Sequence, residues 1–261
     1  MNHQMTYYPF MRQAQRILKV QGLFAKQEFV NFEELCELFA ASKSSIRRDL
    51  MELERKGVLR RVHGGAISLQ TRDEAMDYSN LAISSHDEKA RIGVKAASLV
   101  QPGQTIILGG GSTIVEVAKG LNDKSVQIVT NSIPVAQVFW NSKQAEITLT
   151  GGYLYPRLGV QLGPICEKML HSVSADLLIM GIRGISAAGI SDSNSLIVES
   201  LRAMIRAAAK VVIVADRSKF GRDAMIHVAP LSDIDQIITD KDLPAEFQAM
   251  LREHNVDCTL V

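Results

Sequence analysis

The stretch from residue 42 to residue 65, SKSSIRRDLMELERKGVLRRVHGG, constrains the fold of this chain more than any other part of it. Placed on an α-helix, Ile46, Leu50 and Leu53 fall on one stripe, because residues three and four apart share a helix face. This stripe predicts a helix that packs one of its sides into a protein core.

The opposite side of the same helix is polar and basic. Ser44, Arg48 and Arg55 point away from the apolar stripe, and Arg47 lies on its flank. Ser42 precedes the helix and can cap it by accepting a bond from a free backbone N–H. Exposed arginines and serines on a helix suit phosphates and base edges in the DNA major groove. Double-stranded DNA is therefore the leading candidate partner.

Two shorter helices are predicted upstream of this one. Asn31 stands where an N-cap would, and Glu34 follows three places later, which is a variant of the capping box. A tight connection at Ala40-Ala41 leads into the last helix. The apolar stripes are Ile17, Val20 and Phe24 in the first helix and Phe32, Leu35 and Phe39 in the second. Three short helices with a tight turn before the last one predict a helix-turn-helix domain.

A basic hairpin is predicted to follow the last helix. After Gly57, the run from residue 58 to residue 63 favours a β conformation, and Gly64-Gly65 ends it. Such a wing would carry Arg60 and Arg61 to the DNA backbone, whereas the serines and arginines at the start of the helix would face the groove. The residues predicted to bind DNA are Ser42, Lys43, Ser44, Ser45, Arg47, Arg48, Arg60, Arg61 and His63. For Lys43, a solvated surface charge is the alternative.

The charge distribution along the chain agrees with a nucleic-acid-binding head. Residues 1–65 carry 11 Lys+Arg and 7 Asp+Glu, whereas residues 66–261 carry 18 and 21. The formal net charge of the whole chain is +1, although its first 65 residues are basic and the remainder is mildly acidic. A basic head suits a polyanion, because each neutralised phosphate adds about 0.9 to the slope of the salt dependence. The alternative is a solvated face on an ordinary helical bundle.

Bulk composition indicates a soluble globular protein, with 46% apolar and 22% charged residues. No apolar run reaches the roughly 18 residues of a membrane span, and the amino terminus has no signal-peptide core. Cys36, Cys166 and Cys258 are scattered without paired spacing, which favours a reduced cytoplasm. Neither the cysteines nor the six histidines show ligand spacing, so no metal and no cofactor is expected.

Beyond a polar stretch after Ser68, strand-like and helix-like segments alternate, which predicts a mainly parallel sheet covered on both faces. The fold class is thus α/β, with three parts: a winged helix-turn-helix domain over 1–67, a linker over 68–87 and an α/β domain over 88–261. The strand candidates are 105–110, 126–130, 145–151, 176–181, 211–216, 235–240 and 257–261. The helix candidates are 87–100, 112–121, 132–142, 163–172, 195–209 and 244–253.

Polar and glycine residues follow several of these strands, where open α/β sheets bind ligands. In the first such loop, glycines bring backbone N–H groups close to an anion, and Ser112-Thr113 opens a helix whose positive end adds attraction. The predicted ligand-binding residues are Gly110, Gly111, Ser112, Thr113, Thr130, Asn131, Ser132, Gly151, Gly152, Arg157, Gly181, Arg183, Asp216 and Lys219. Plain glycine-rich turns, helix caps at Asn131 or Ser132, and a local Asp216–Lys219 ion pair are the alternatives.

The run from Val30 to Ala66 resembles the amino-terminal domain of the DeoR family of bacterial transcription regulators, whose pattern is close to S..TIRRDL..L...G...R.HGGA. Here Ser45 replaces the usual threonine. From about Glu88 onward the chain resembles the family's effector domain, at landmarks that include 111–113, 130–132 and 218–221. The resemblance implies a fold shared with ribose-5-phosphate isomerase and CoA transferases. It also implies a repressor of carbohydrate metabolism with a phosphorylated sugar or related metabolite as effector.

Two departures from the family pattern bear on the ligand. Relatives usually have an aspartate where this chain has Gly109 or Gly110, and often a lysine at the place of Leu201, before Arg202. The loss of a carboxylate that could bind sugar hydroxyls implies an altered effector. Asp192 and Asn194 could replace the missing contacts, and Arg202 either reaches the pocket or lies on the helix surface.

Two other classes of function remain as alternatives. A sugar-phosphate isomerase or deaminase needs a proton-transfer group, but the loop Gly181-Ile182-Arg183-Gly184 lacks the carboxylate that the isomerases carry after this strand. A nucleoid protein would have no need of a sugar pocket. One small head contacts few base edges, so a homo-oligomer, a dimer or tetramer, is expected to bind the operator.

Overall fold

In the computed structural model, which describes residues 13–24, 29–56, 58–62, 64–68 and 86–261, the chain divides into two units between Ser84 and Ser85. The amino-terminal unit contains the three predicted helices and three short antiparallel strands in the order β1-β3-β2. The helices are α1 (Gln13–Phe24), α2 (Phe32–Leu38) and α3 (Lys43–Arg55), and the strands are β1 (Phe29–Asn31), β2 (Leu59–Val62) and β3 (Gly65–Ser68).

The three helices meet where the apolar periodicity predicted. Ile46, Leu50 and Leu53 of α3 are buried, together with Leu35 of α2 and Val20 of α1. The caps also form as predicted: the Asn31 side chain accepts a bond from the backbone N–H of Glu33, and the Ser42 side chain accepts one from Ser45. In the turn between α2 and α3, Ala40 adopts a φ of 46°.

The wing differs from its prediction in one respect. Gly65 was expected to end the hairpin, but it is the first residue of β3, and Val62 pairs with it in the antiparallel register of β2 and β3. Strand β3 also pairs with β1, which the sequence did not indicate. Three residues are too few to show an alternating pattern, so β1 depends on its tertiary partner.

The carboxyl-terminal unit is built on a seven-stranded sheet in which every neighbouring pair is parallel. All seven strands lie within the predicted strand segments. They are β4 (Thr105–Leu108), β5 (Gln127–Thr130), β6 (Glu146–Leu149), β9 (Leu177–Met180), β12 (Val211–Val214), β14 (Gln236–Thr239) and β15 (Asp257–Leu260). Their order in the sheet is β15-β14-β12-β9-β4-β5-β6. Strands β5 and β6 therefore extend the sheet on one side of β4, whereas β12, β14 and β15 extend it on the other side of β9. In open α/β sheets, a reversal of this kind, here between β4 and β9, is where a ligand-binding crevice is expected, outside the carboxyl ends of the strands.

Helices pack against this sheet. Helix α4 contacts α5 and the strands β12 and β14, while α7 and α8 pack together in a core that includes Leu178 and Ile213. The helices are α4 (His86–Ser98), α5 (Ser112–Lys119), α6 (Ile133–Val138), α7 (Pro164–His171), α8 (Ser195–Arg206) and α9 (Ala245–Glu253). The observed helices are shorter than predicted, because helix ends are the least determined by local sequence.

Five further strands were not predicted. They form a hairpin and a small antiparallel sheet in the order β10-β11-β13. These strands are β7 (Tyr153–Tyr155), β8 (Val160–Leu162), β10 (Gly184–Ser186), β11 (Gly189–Asp192) and β13 (Ile226–Ala229). Each is three or four residues long, too short for a periodicity to stand out. Of the predicted linker, Ser68, His86 and Asp87 lie in regular structure, and residues 69–85 lie outside the described part.

A charged pair joins the first and last helices of the amino-terminal unit. Asp49 is fully buried on α3, and its carboxylate accepts bonds from Nε of Arg16 at 2.5 Å and from a second guanidinium nitrogen at 3.3 Å. A buried carboxylate is tolerated when charged donors satisfy it. The pair therefore holds α1 against the inner side of α3.

We expect Asp49→Ala to lower the free energy of unfolding of this unit by about 2–4 kcal/mol, because it breaks a largely buried ion pair. Hydrogen exchange of the α1 and α3 amides in the full chain would measure the loss. Glu52→Ala is the matched control: it removes a surface i,i+4 pair with Lys56, and such exposed pairs contribute little to stability. Equal effects of the two substitutions would contradict the structural role of Asp49.

Candidate functional site

The exposed face of α3 presents the side chains expected on a DNA-reading helix. Ser44, Arg48 and Arg55 are all exposed and lie opposite the buried stripe. Met51 lies on the same face and is 53% exposed, although the sequence analysis did not single it out. Met51 follows Ser44 by seven residues and Arg48 by three. This spacing could have placed it on the exposed face of α3 from the sequence alone.

Three serine hydroxyls cluster at the amino end of α3. The Ser42 hydroxyl lies 2.9 Å from those of Ser44 and Ser45 and accepts the Ser45 backbone N–H at 3.2 Å. This network fixes the hydroxyls where the positive end of the helix dipole points outward. The arrangement suits a phosphate oxygen or a base edge.

A groove of about 550 Å³ lies between the helices and the wing. Arg47 and Arg61 both line it, and each is held by a neighbour. The Arg47 guanidinium lies 5.8 Å from the centroid of the Phe32 ring, a cation–π contact. Arg61 donates its backbone N–H and its Nε to the Glu54 carboxylate at 2.9 and 2.6 Å, and these bonds lower the pKa of Glu54.

The other predicted DNA-contacting residues are also at the surface of this unit where they are described. Lys43 is exposed, and its ammonium group lies 4.0 Å from the Glu33 carboxylate, which makes a weak surface ion pair. Arg60 is exposed on β2. His63 lies outside the described residues.

In the carboxyl-terminal unit, the loop after β4 forms the glycine-rich part of the crevice. Gly111 has a φ of 117°, which favours glycine, and it precedes α5 without any side-chain cap. The first turn of α5, with the buried Ser112 and Thr113, therefore places the positive end of the helix dipole at the carboxyl end of β4. Gly110 lies so close to Val160 that an added Cβ would overlap the valine side chain. An apolar side chain therefore lies beside Gly110, one of the two glycines that stand where relatives usually have an aspartate.

The end of β5 contributes hydrogen-bonding groups that are mostly used within the fold. Thr130 accepts the backbone N–H of Ser132 at 3.0 Å, and the Ser132 hydroxyl caps α6 at the Val135 N–H. Asn131 donates its Nδ2 to the Gln161 carbonyl at 3.0 Å. Its Oδ1 is buried and has no hydrogen-bond partner within the described part of the chain. A buried amide oxygen without a partner is costly, and a ligand hydroxyl would satisfy it.

Charged groups gather at the ends of β9 and β12. Asp216 is buried, which raises the pKa of its carboxyl, but Lys219, a serine N–H and Lys89 together outweigh burial and hold that pKa below its usual range. Burial raises the pKa of Asp192, although Arg183, with its Nε 3.9 Å from the carboxylate, acts in the opposite direction.

Lys89 is the functional candidate that the sequence analysis missed. It lies in the first turn of α4, is only 4% exposed, and acts electrostatically on Asp216. Helical spacing could place it on an inward face, but only the packing of α4 on the sheet brings it to the end of β12. A buried lysine beside a carboxylate is a frequent feature of functional sites.

Several other predicted residues are exposed or already make hydrogen bonds within the fold. Arg157 is exposed in the turn between β7 and β8, and Gly151 donates its N–H to the Gln161 side chain at 3.0 Å. Asn194 caps α8 through its side-chain oxygen. Arg202 bonds the carbonyls of Val228 and His227, which ties α8 to β13.

The remaining predicted residues lie near the centre of the crevice or beside it. Gly181 follows β9, and an added Cβ there would lie 3.8 Å from the carbonyl oxygens of Gly110 and Val214. Three neighbouring strand ends therefore converge at this point. Gly152 is exposed next to Cys166. Among the described residues, no group of three or more potential metal ligands occurs, and no helix is long and apolar enough to cross a membrane.

Comparisons with known proteins match both units. A model of the DeoR-like helix-turn-helix domain matches residues 16–72, and one of the DeoR C-terminal sensor domain matches residues 84–241. The glycerol-3-phosphate regulon repressor of Escherichia coli is 35% identical over 257 residues, which covers 96% of this chain and 100% of that protein. The transcriptional repressor GlcR of Bacillus subtilis is 32% identical over 245 residues, covering 94% and 95%.

Solved structures show more distant likeness. Ribose-5-phosphate isomerase A from Methanocaldococcus jannaschii matches with a TM-score of 0.39 at 17% identity, covering 52% of this chain and 55% of that one. The Pyrococcus horikoshii translation initiation factor eIF-2B matches with a TM-score of 0.45 at 13% identity, covering 86% and 87%. The functional argument therefore comes from the sequence relatives and the two domain matches. The chain belongs to the DeoR family of transcriptional regulators, with a DeoR-like helix-turn-helix domain followed by a DeoR sensor domain.

Proposed function

We propose that this regulator represses a carbohydrate-metabolism operon, and that a phosphorylated sugar or a related metabolite bound in the crevice controls its affinity for operator DNA. The observation that carries the proposal is the amino end of α5 behind Gly111, which lies at the reversal of strand order. The positive end of a helix dipole favours a phosphate. The names of the repressor relatives support the DNA-binding half of the proposal.

Each part of the ligand has a candidate partner in the crevice. The phosphate would accept bonds from the backbone and hydroxyls of Ser112 and Thr113, and Lys219 and Lys89 supply positive charge nearby. The buried Oδ1 of Asn131 would accept a sugar hydroxyl. Since Val160 occupies the space beside Gly110, the ligand part that lies there would be apolar or small.

Control of DNA binding requires that the ligand bind one state of the protein better than the other. A coupling of about 1–3 kcal/mol would change operator affinity roughly 5- to 150-fold. We propose that a dimer or tetramer binds the operator, with heads at 1–67, a connecting segment at 68–87 and sensor domains at 88–261. Cytoplasmic location and the absence of any membrane partner or cofactor belong to the same proposal.

The observation that favours an enzyme instead is Asp192, a carboxylate in the crevice whose pKa is raised by burial. A poised carboxylate could act as a base. However, Arg183 pairs with it, and the loop after β9 carries no other carboxylate. We propose that the crevice binds without transforming its ligand. Incubation of the pure protein with ribose 5-phosphate or glucosamine 6-phosphate should give no turnover above background, and measurable turnover would overturn this assignment.

A thermal-shift screen of phosphorylated sugars tests the pocket. We expect a compound that raises the melting temperature of the full chain, and Ser112→Asp should abolish that shift, because a carboxylate would repel the phosphate. Lys219→Gln should reduce the shift, because it removes a positive charge from the crevice.

Ser98→Asp is the matched control, since Ser98 is an exposed serine on α4. It should keep the full shift while adding the same charge. A shift that survives in Ser112→Asp would place the ligand elsewhere and overturn the crevice as the effector site.

The DNA-binding head is tested by separating base contacts from phosphate contacts. We expect Arg48→Ala to weaken binding to a selected duplex by roughly 10- to 100-fold, the value of one good base contact, with a smaller effect on random duplex. Arg60→Ala should weaken binding to both and lower the slope of log affinity against log salt by about 0.9. Fluorescence anisotropy at several salt concentrations measures both quantities. Equal losses on both duplexes for Arg48→Ala would contradict its base-reading role.

A further inference from the structure

Met51 is an apolar side chain on the polar, exposed face of α3. It is 53% exposed, whereas Ile46, Leu50 and Leu53 of the same helix are at most 1% exposed. Its neighbours along the exposed stripe are Arg48, one turn earlier, and Arg55, one turn later. An isolated exposed apolar residue needs no explanation on an ordinary surface. Under the proposed function, on which this inference rests, the same face of α3 meets DNA.

The direction of the side chain carries it toward the bases. In a helix, long side chains lean toward the amino terminus and cover the turn before their own Cα. Met51 therefore reaches over the turn that contains Arg48, toward the amino-terminal end of α3. Recognition helices place that end against base edges. Three residues along α3 rise about 4.5 Å, which is close to the spacing of neighbouring base pairs. Met51 and Arg48 would therefore contact adjacent base pairs.

The chemistry of the thioether limits what it can read. Methionine has no hydrogen-bond donor and only a weak acceptor, and it is flexible enough to fill a shallow apolar depression. In the major groove, the one apolar feature of a base edge is the C5-methyl group of thymine. The exposed groups beside Met51 on this stripe are hydrogen-bonding or charged, so they cannot provide that contact themselves.

From this geometry we infer that Met51 is a specificity-determining residue that packs against the methyl group of a thymine next to the base pair read by Arg48. The operator would then combine a hydrogen-bonded position with an adjacent position that is recognised by shape and apolar contact. Specificity at that second position depends on a single methyl group.

The test removes only that group. A duplex selected by the full-length protein from a randomised pool is prepared with each thymine in turn replaced by deoxyuridine, which lacks the methyl. We expect the wild type to lose about 3- to 5-fold in affinity at one thymine in each half-site, the value of one buried methyl. Met51→Ala and Met51→Gln should bind the thymine and deoxyuridine duplexes equally.

Leu18→Ala provides the matched control, because Leu18 is an exposed apolar residue, 43% exposed, on α1. It should keep the wild-type preference for thymine. Binding of all variants to random duplex at low salt, together with unchanged melting temperatures, shows that the heads remain folded. The inference is overturned if no thymine methyl affects wild-type affinity, if the preference persists in both Met51 variants, or if Leu18→Ala abolishes it as well.

Discussion

The reversal of strand order between β4 and β9 is the constraint on which the sensor domain depends. All seven central strands are parallel, so their carboxyl ends lie at one edge, and the connections diverge only at this point. Backbone from three strand ends approaches closely there, since Gly181 lies near the carbonyls of Gly110 and Val214. At Gly110 a Cβ would overlap the Val160 side chain, so a glycine is needed there. The amino end of α5 lies at the same reversal.

The buried charges at the ends of β9, β11 and β12 compensate one another. Taking a charge out of water is costly unless a partner compensates it, and Lys89 and Asp216 are both nearly fully buried. Their mutual attraction, with Lys219, keeps Asp216 ionised, whereas Asp192 has its pKa raised by burial. The crevice thus combines lysines, an arginine and helix N–H groups with carboxylates that are already paired.

In the DNA-binding unit, the two sides of α3 have different roles. The buried stripe and the Arg16–Asp49 pair fix α3 against the rest of the unit, and the opposite face is left to meet DNA. Arg47 and Arg61 contact Phe32 and Glu54, which limits their side-chain freedom before DNA arrives. Ordered side chains lose less entropy on binding. The groove face then combines hydrogen-bonding groups with the apolar Met51.

The amino-acid sequence by itself determined the helix-turn-helix, its caps and the seven strands of the central sheet. These features depend on local periodicity and on side chains that bond the nearest backbone groups, both of which can be read along the chain. The tertiary structure alone decided the pairing of β1 with β3, the five short strands, the burial of Lys89, and the roles of Asn194 and Arg202 within the fold. Each of these depends on contacts between residues far apart in sequence, whose partners no local pattern specifies.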